Sequence, residues 1–322
     1  MRRFPHPRWI TAWLLLSLTA CAVRVPAPPP DIVIDNAQVG GSIVAFDRDS
    51  TRLAFGDWRG SIGVRGLAGG DAVYRWRAHA GTVNGLVFLD GGRRILSAGY
   101  DGELAEWDAQ GRRLRHVRTG SPVMALAVGE ADGIAVTGHA DGSVGVWDLD
   151  GLRPRRREAV HGGVVHAVAY LPGRRYIASS GSDARVFLWR GPDAPPALLR
   201  DPPTASRALQ FSPDGRWLIG SGWFRLFRWD LADASLATLP TEHHGLIASI
   251  HYSPDGRYVA SISRKTDSSV YFLDPADGAV LRRFRRHDLC GAAVAVSPDR
   301  RWLATTSDDA SVRLWRLEAP AR

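Results

Sequence analysis

Short apolar segments alternate with polar turns along nearly the whole chain, and the pattern repeats at an almost constant interval. In one representative stretch, segments of five or six residues at 83–88, 94–98, 103–107 and 112–117 are separated by short turns. Such segments bounded by turn residues predict β-strands connected as hairpins. The turn after the first strand recurs every 41 to 44 residues, and at 212–215 it reads Ser-Pro-Asp-Gly.

Self-similarity at this period indicates a repeat architecture, in which four short antiparallel strands form each blade of a β-propeller. The seven turns that recur between residues 47 and 300 therefore predict an all-β, seven-bladed β-propeller of four-stranded antiparallel blades. The sequence after Trp315 is too short for a further strand in the last blade. Because an open sheet edge is a liability, we expect an N-terminal strand at 31–35 to pair with 311–317 and close the ring.

The blades resemble WD repeats, whose third strands often end in Trp-Asp, as at 107–108, 147–148 and 229–230. In five blades an Asp lies six residues before the Trp position, and a Ser or Thr lies four residues before that Asp. A His precedes four of these hydroxyl residues by 18 or 19 positions. In the WD-repeat family these residue types form a His–Ser/Thr–Asp–Trp hydrogen-bond network inside each blade. By this resemblance the network residues are His79, Ser97, Asp101, Trp107, Thr137, Asp141, Trp147, His161, Ser179, Asp183, Trp189, His244, Ser263, Asp267, His287, Thr305, Asp309 and Trp315.

These His and Asp residues are interpreted as structural. A half-buried carboxylate requires donors, and His N–H, Ser or Thr O–H and Trp N–H groups supply them. A pair such as His79 and Asp101 is therefore expected to stabilise its blade and not to act as an acid–base pair.

The N-terminal residues resemble the leader of a bacterial lipoprotein. Three arginines precede an apolar segment at 9–16, which is too short to span a bilayer but is typical of a signal peptide. Leu-Thr-Ala-Cys at 18–21 resembles the lipobox, which implies cleavage before Cys21 and lipidation of that cysteine. The alternative is an ordinary secreted protein cleaved nearby.

Three regions are therefore predicted: a lipoprotein signal peptide at 1–20, a Pro-rich tether at 21–30 and the propeller at 31–322. Pro-rich segments form extended, semi-rigid spacers. Because Ala22 and not Asp follows the cysteine, the resemblance favours the outer membrane, with the protein facing the periplasm.

Departures from the repeat provide the candidate binding residues. In the WD-repeat family the residue before the Asp lies on the top face of the ring and often contacts partners. Trp58, Tyr100 and Trp223 occupy or adjoin this turn, and exposed aromatic residues suit interface hot spots. Thr266 and Asp308 hold the same position in blades six and seven. Inward packing in degenerate blades remains open for the two tryptophans, and an ordinary turn role remains open for Thr266 and Asp308.

The sequence contains no motif that indicates catalysis, so we expect a non-enzymatic protein with no cofactor and no metal. His166 and His251 lie singly on predicted inner strands, and Cys290 is interpreted as an inert thiol. Neither a phosphate-binding loop nor a nucleophile elbow occurs. The alternative is a propeller enzyme or a cofactor-binding periplasmic protein.

The charge distribution says little about partners. The formal net charge is +8, and arginines cluster in the predicted outer strands, for example at 112–118 and 153–157. This arginine belt could face anionic phospholipids or an acidic protein, or could protect sheet edges. An envelope location argues against nucleic acid as a partner. We expect a monomeric, lipid-anchored scaffold that binds an envelope protein or peptide.

Overall fold

The predicted fold is confirmed. The computed structural model describes residues 27–36, 39–68, 73–264 and 267–317. Their strands form seven four-stranded antiparallel sheets, each of which is one blade of a propeller. Short 3-10 turns at Asp90–Gly92, Glu130–Asp132 and Asp150–Leu152 are the helical segments of the described chain.

The strands follow the chain from the inside of each blade to its outside. Blades one to three contain β2 (Gly41–Phe46), β3 (Arg52–Asp57), β4 (Ser61–Gly66), β5 (Tyr74–Arg77), β6 (Val83–Leu89), β7 (Arg94–Gly99), β8 (Glu103–Asp108), β9 (Arg113–Arg118), β10 (Val123–Gly129), β11 (Ile134–His139), β12 (Ser143–Asp148) and β13 (Arg153–Ala159). Blades four to six contain β14 (Val165–Leu171), β15 (Tyr176–Gly181), β16 (Val186–Trp189), β17 (Pro196–Leu198), β18 (Leu209–Phe211), β19 (Trp217–Ser221), β20 (Arg225–Asp230), β21 (Leu236–Pro240), β22 (Leu246–Tyr252), β23 (Val259–Arg264), β24 (Val270–Leu273) and β25 (Val280–Phe284).

Blade seven joins the two ends of the chain, as predicted. It contains β26 (Gly291–Val296), β27 (Trp302–Ser307) and β28 (Ser311–Arg316), and its outer strand is β1 (Ile32–Asp35). The antiparallel register pairs Ile32 with Leu314 and Asp35 with Ser311. The N-terminal strand thus covers the edge that blade seven would otherwise expose.

The core lies between neighbouring blades, because each sheet presents apolar side chains to the next. One cluster combines Ile34 of β1 with Val44 and Phe55 of blade one and Leu314 of blade seven. Another joins Ala178 and Leu188 of blade four to residues of blade five. Each blade is therefore stabilised by its two neighbours, which makes closure of the ring a requirement for burying the last interface.

The chain direction assigns every turn to one of two faces. The recurring Ser-Pro-Asp-Gly type turns join the first and second strands on one face. The turns between the second and third strands, and the connections between blades, lie together on the opposite face, which we call the top face. The inner strands surround a central channel with a volume of about 930 Å³, which extends to the top face.

Candidate functional site

Blade two shows the complete hydrogen-bond network. His79 Nδ1 lies 3.0 Å from Asp101 Oδ1, and its Nε2 lies 2.7 Å from Ser97 Oγ. Because a carboxylate only accepts, Nδ1 carries the proton, so Nε2 accepts from the Ser97 hydroxyl. Ser97 Oγ in turn accepts the Trp107 indole N–H at 2.8 Å. The hydrogen bonds therefore all run in one direction, from Trp107 on β8 through Ser97 on β7 and His79 to Asp101 in the top-face turn.

Blades four and seven repeat the His–hydroxyl–Asp part of this arrangement. His161 lies 3.0 Å from Asp183 and 2.7 Å from Ser179. His287 lies 2.9 Å from Asp309 and 2.7 Å from Thr305. The tryptophans of these two blades are Trp189, which is buried and packs beside Phe187, and Trp315.

Trp315 departs from its predicted role. Its indole N–H donates to the carbonyl of Pro28 at 3.1 Å, and the same carbonyl accepts the backbone N–H of Arg285 at 3.3 Å. The indole is turned outward because the N-terminal segment passes along the outside of the ring and offers it an acceptor. Pro28 belongs to the predicted tether, so the end of that segment contacts the propeller between blades six and seven.

Blade six requires a correction for two residues. The ring in the network is His243, whose Nε2 lies 2.8 Å from Ser261 Oγ, whereas the His244 side chain is largely exposed. The hydroxyl is that of Ser261 and not that of Ser263, which instead donates to Asp267. Asp267 lies six residues after Ser261, whereas Asp101 lies four residues after Ser97. Counting back four residues from Asp267 therefore reaches Ser263 instead of Ser261. His243 precedes Ser261 by 18 residues in the sequence, the same separation as between the histidine and the hydroxyl residue in blades two, four and seven.

Blade three replaces the missing histidine with one from its own second strand. Thr137 Oγ1 accepts the Trp147 indole N–H at 2.7 Å and lies 2.8 Å from His139 Nε2. His139 is fully buried, and burial lowers the pKa of its ring. Asp141 is paired with Arg157 at 2.6 Å. The sequence pattern misses His139 because it lies two residues after Thr137 and not before it.

Trp58 and Tyr100 are exposed on the top face in neighbouring blades. Each is the first residue of the turn after the second strand, and 42% and 53% of their respective surfaces are exposed. In blade one, Asp57 takes over the turn by accepting the backbone N–H groups of Arg59 and Ser61 at 2.8 and 2.9 Å. The turn therefore remains ordered without the usual Asp, and the tryptophan ring is partly exposed.

Trp223 is half-buried and lines the channel instead of standing fully exposed. The turn of blade five pairs with the start of β22, through a bridge from Trp223 to Leu246. Phe224 is the exposed residue of this turn, with 45% of its surface accessible and a φ of 63°. A bulky residue in the left-handed region is unusual. Sequence reasoning missed Phe224, and it also missed Leu289, which is 55% exposed on the top face of blade seven.

Asp308 is paired and Thr266 lies outside the described residues. Arg264 Nη2 lies 3.0 Å from Asp308 Oδ2, and its guanidinium carbon lies 5.9 Å from the centre of the Trp58 ring. Burial raises the pKa of Asp308, although Arg264 opposes the shift. Trp58, Arg264 and Asp308 come from blades one, six and seven, and together they form what we call the mouth cluster.

The channel lining is mostly apolar, with a basic top end. Arg207 and Arg264 lie there together with His166, and the described lining includes no Asp or Glu. Arg207 Nη1 lies 3.2 Å from His166 Nδ1, and burial lowers the pKa of His166 to about 4. His251 also lines the channel, and burial lowers its pKa to about 4. Both imidazoles are therefore neutral near pH 7.

Many arginines of the belt, above all in the outer strands of blades two and three, are paired with neighbouring carboxylates. Arg115 lies 3.2 Å from Glu106, and Arg156 lies 2.7 Å from Glu158. Further ion pairs join Arg112 to Asp108, Arg113 and Arg118 to Glu103, Arg153 to Asp150, Arg155 to Asp193 and Arg283 to Glu242. Exposed pairs of this kind contribute little stability, but they lower the positive field over these outer strands.

Across the described ranges, no group of three or more His, Cys, Asp or Glu side chains could hold a metal ion. In the same part of the chain, no helix has the length and apolar character needed to cross a membrane. Cys290 is a free thiol that lines the channel, and Cys21 lies outside the described residues.

Comparison with known proteins identifies WD repeats in this chain. The model of the family described as WD domain, G-beta repeat matches residues 70–108, 154–190 and 278–316. These stretches end in blades two, four and seven, which carry the predicted sets of four residue types. The repeats that the family model finds are thus the ones in which His, hydroxyl and Asp are joined by hydrogen bonds.

Similar curated proteins share the repeats at low identity. The chain is 28% identical to transcription initiation factor TFIID subunit 5 of Caenorhabditis elegans over 67% of this chain and 34% of that protein. It is 24% identical to human striatin-4 over 75% of this chain and 36% of that protein. It is 29% identical to small ribosomal subunit protein RACK1y of Oryza sativa over 45% of this chain and 42% of that protein. The chain therefore spans about a third of the length of the first two relatives.

Proposed function

We propose that this propeller with WD repeats is a non-catalytic platform that binds a protein or peptide on its top face. The observation that carries the proposal is the group of exposed aromatic side chains Trp58, Tyr100 and Phe224, which project from the top-face turns of three blades. Large aromatic residues are enriched at binding hot spots because they bury much apolar area at little cost in side-chain entropy.

The names of two relatives support a binding role. Subunit 5 of TFIID and small ribosomal subunit protein RACK1y are named as parts of larger assemblies. The turns of this chain that depart from the repeat, in blades one and five, are also those that present Trp58 and Phe224. Residues released from the repeat pattern are available for a partner specific to this protein.

The test uses paired variants with matched exposure. Trp58→Ala/Tyr100→Ala removes two top-face aromatics, and Tyr74→Ala/Leu198→Ala removes exposed side chains of the outer strands, where Tyr74 is 53% exposed like Tyr100. Partners captured from crosslinked membranes should fall by about tenfold or more with the first variant, and should persist with the second. Retention of every partner by the top-face variant, at an unchanged melting temperature, would reject the proposal.

We further propose that the platform is attached to the bacterial cell envelope through lipid on Cys21, at the outer membrane and facing the periplasm. The support is the sequence of residues 1–21, with its basic start, apolar segment and Leu-Thr-Ala-Cys ending. More than one acyl chain is needed for stable attachment, and lipoproteins of this type carry several. Cys21→Ser should move the protein to the soluble fraction, whereas Cys290→Ser should leave it with the membranes. Firm attachment of the Cys21 variant would refute the anchor.

A further inference from the structure

The top end of the channel carries a positive charge that the described chain does not neutralise. Arg207 and Arg264 are the charged side chains of the described lining. Asp308 neutralises Arg264 at 3.0 Å. Within the described residues, Arg207 has no carboxylate at ion-pair distance, and its polar contact is His166. One guanidinium charge is therefore left over at the channel mouth.

The contact with His166 orients Arg207 without removing its charge. The His166 ring is neutral near pH 7, so its Nδ1 accepts a hydrogen bond from Arg207 Nη1 at 3.2 Å. This bond uses one N–H donor of the guanidinium, and the other N–H groups remain available to a ligand. A planar fork with two free donors matches the geometry of a carboxylate.

The proximity of Arg207 and Arg264 favours the binding of a negatively charged group at the channel mouth. Partial burial, together with the nearby charge of Arg264, lowers the pKa of Arg207, while the residue remains exposed at the mouth and accessible to a ligand. The channel is also lined by apolar residues such as Ala167, Val168 and Ala292 and by the polar residues Asn84, Gln210 and Ser249. A ligand anion at this exposed mouth is attracted by both guanidinium groups, and water screens part of that attraction.

We propose that the channel mouth is a carboxylate-binding subsite, in which Arg207 and Arg264 receive an acidic side chain of the protein or peptide bound on the top face. This inference rests on the proposed function and adds the chemistry of the partner. The single uncompensated charge matches a carboxylate, whereas a phosphate dianion would leave one negative charge unpaired. The mouth cluster places Trp58 beside the subsite, so an acidic residue flanked by apolar residues fits both features.

The probe is a displayed library of random ten-residue peptides, held at both ends so that no free terminal carboxylate is present. Selection on the wild-type protein should enrich peptides that contain Asp or Glu next to apolar residues. Selection on Arg207→Gln should lose that acidic enrichment, and Arg112→Gln should keep it. Arg112 is a matched control because it loses the same charge from an exposed turn on the opposite face.

A selected peptide then gives the magnitude. Replacing its Glu with Gln, or Arg207 with Gln, should weaken binding by about 10- to 100-fold, since a hydrogen bond to a charged group is lost. Arg207→Lys should give an intermediate affinity, because it keeps the charge and loses the fork. Inorganic phosphate should displace the peptide no better than acetate at equal ionic strength.

Other outcomes separate this inference from the proposed function. Equal acidic enrichment on Arg207→Gln, or equal losses with Arg207→Gln and Arg112→Gln, would overturn the subsite. Stronger displacement by phosphate than by acetate would overturn its assignment to a carboxylate. Peptides without acidic residues that lose binding in Trp58→Ala/Tyr100→Ala would leave the platform standing and the subsite wrong. Selection of no peptide would count against both.

Discussion

At the scale of single residues, five of the described blades contain a short chain of polar contacts that tolerates exchange of its members. In blade two the order runs from Trp107 through Ser97 and His79 to Asp101. Blade three supplies its imidazole from His139 instead. In both blades the strand hydroxyl accepts an indole N–H and lies within hydrogen-bond distance of an imidazole nitrogen, and a buried hydroxyl left unpaired costs about 1–3 kcal/mol.

The buried histidines predict how stability depends on pH. Burial lowers the pKa of His79, His243 and His287 below the ordinary value of 6.5. The unfolded chain therefore binds more protons below pH 6.5, so the free energy of unfolding should fall as the pH drops from 7.5 to 5.5. Each histidine contributes up to about 1.4 kcal/mol per pH unit.

Urea unfolding at three pH values checks this dependence. His287→Gln should lower stability at pH 7.5 by about 1–2 kcal/mol and should reduce the slope with pH. His116→Gln, on an exposed position of β9, should leave both unchanged. An identical slope for wild type and His287→Gln would contradict the assignment. Asp309 acts at lower pH, where burial is outweighed by hydrogen bonds from His287 and Ser311 that hold its pKa below the usual range.

At the scale of secondary structure, β1 decides whether the ring is closed. Its side chains alternate, so Ile34 is 4% exposed and packs into the core between blades seven and one, while Val33 is 58% exposed. The strand supplies the backbone partners of β28 and covers the last sheet edge. The neighbouring contact of Pro28 with Trp315 extends this attachment beyond the strand.

Two substitutions in the same strand test the contribution of closure. Ile34→Ala should destabilise the protein by about 2–4 kcal/mol because it leaves a cavity in the closing interface. Val33→Ala should cost less than about 1 kcal/mol, since its side chain faces solvent. Hydrogen exchange should quicken first in Ser311–Arg316 of the Ile34 variant. Equal effects of the two substitutions would show that β1 is held by its backbone alone.

At the scale of the whole molecule, the distribution of charge matters more than its sum. The formal net charge of +8 suggests a basic protein, but carboxylates pair with the arginines in the outer strands of blades two and three. One uncompensated positive charge, that of Arg207, lies at the channel mouth, where a partner and not a membrane would meet it. This arrangement disfavours the interpretation of the arginine belt as a phospholipid-binding surface.

The released Cys21→Ser protein tests that interpretation directly. We expect it not to sediment with vesicles that contain anionic phospholipid at physiological ionic strength, because ion-paired arginines present little net charge. Vesicles of neutral phospholipid serve as the control. Strong binding to the anionic vesicles alone would restore the belt as a membrane surface.

The sequence by itself determined the class of fold, the number of blades and the closing strand. These features follow from the period of the apolar segments and from strand alternation, which are local and repeat along the chain. The structure alone decided which of two adjacent histidines enters blade six, because an inserted turn breaks the spacing. It also decided that Trp223 turns into the channel, and that Arg207 and Arg264 lie at one mouth. Trp223, Arg207 and Arg264 do not occupy equivalent positions of the sequence repeat, because the connections near them differ in length. Only closure of the ring brings them together.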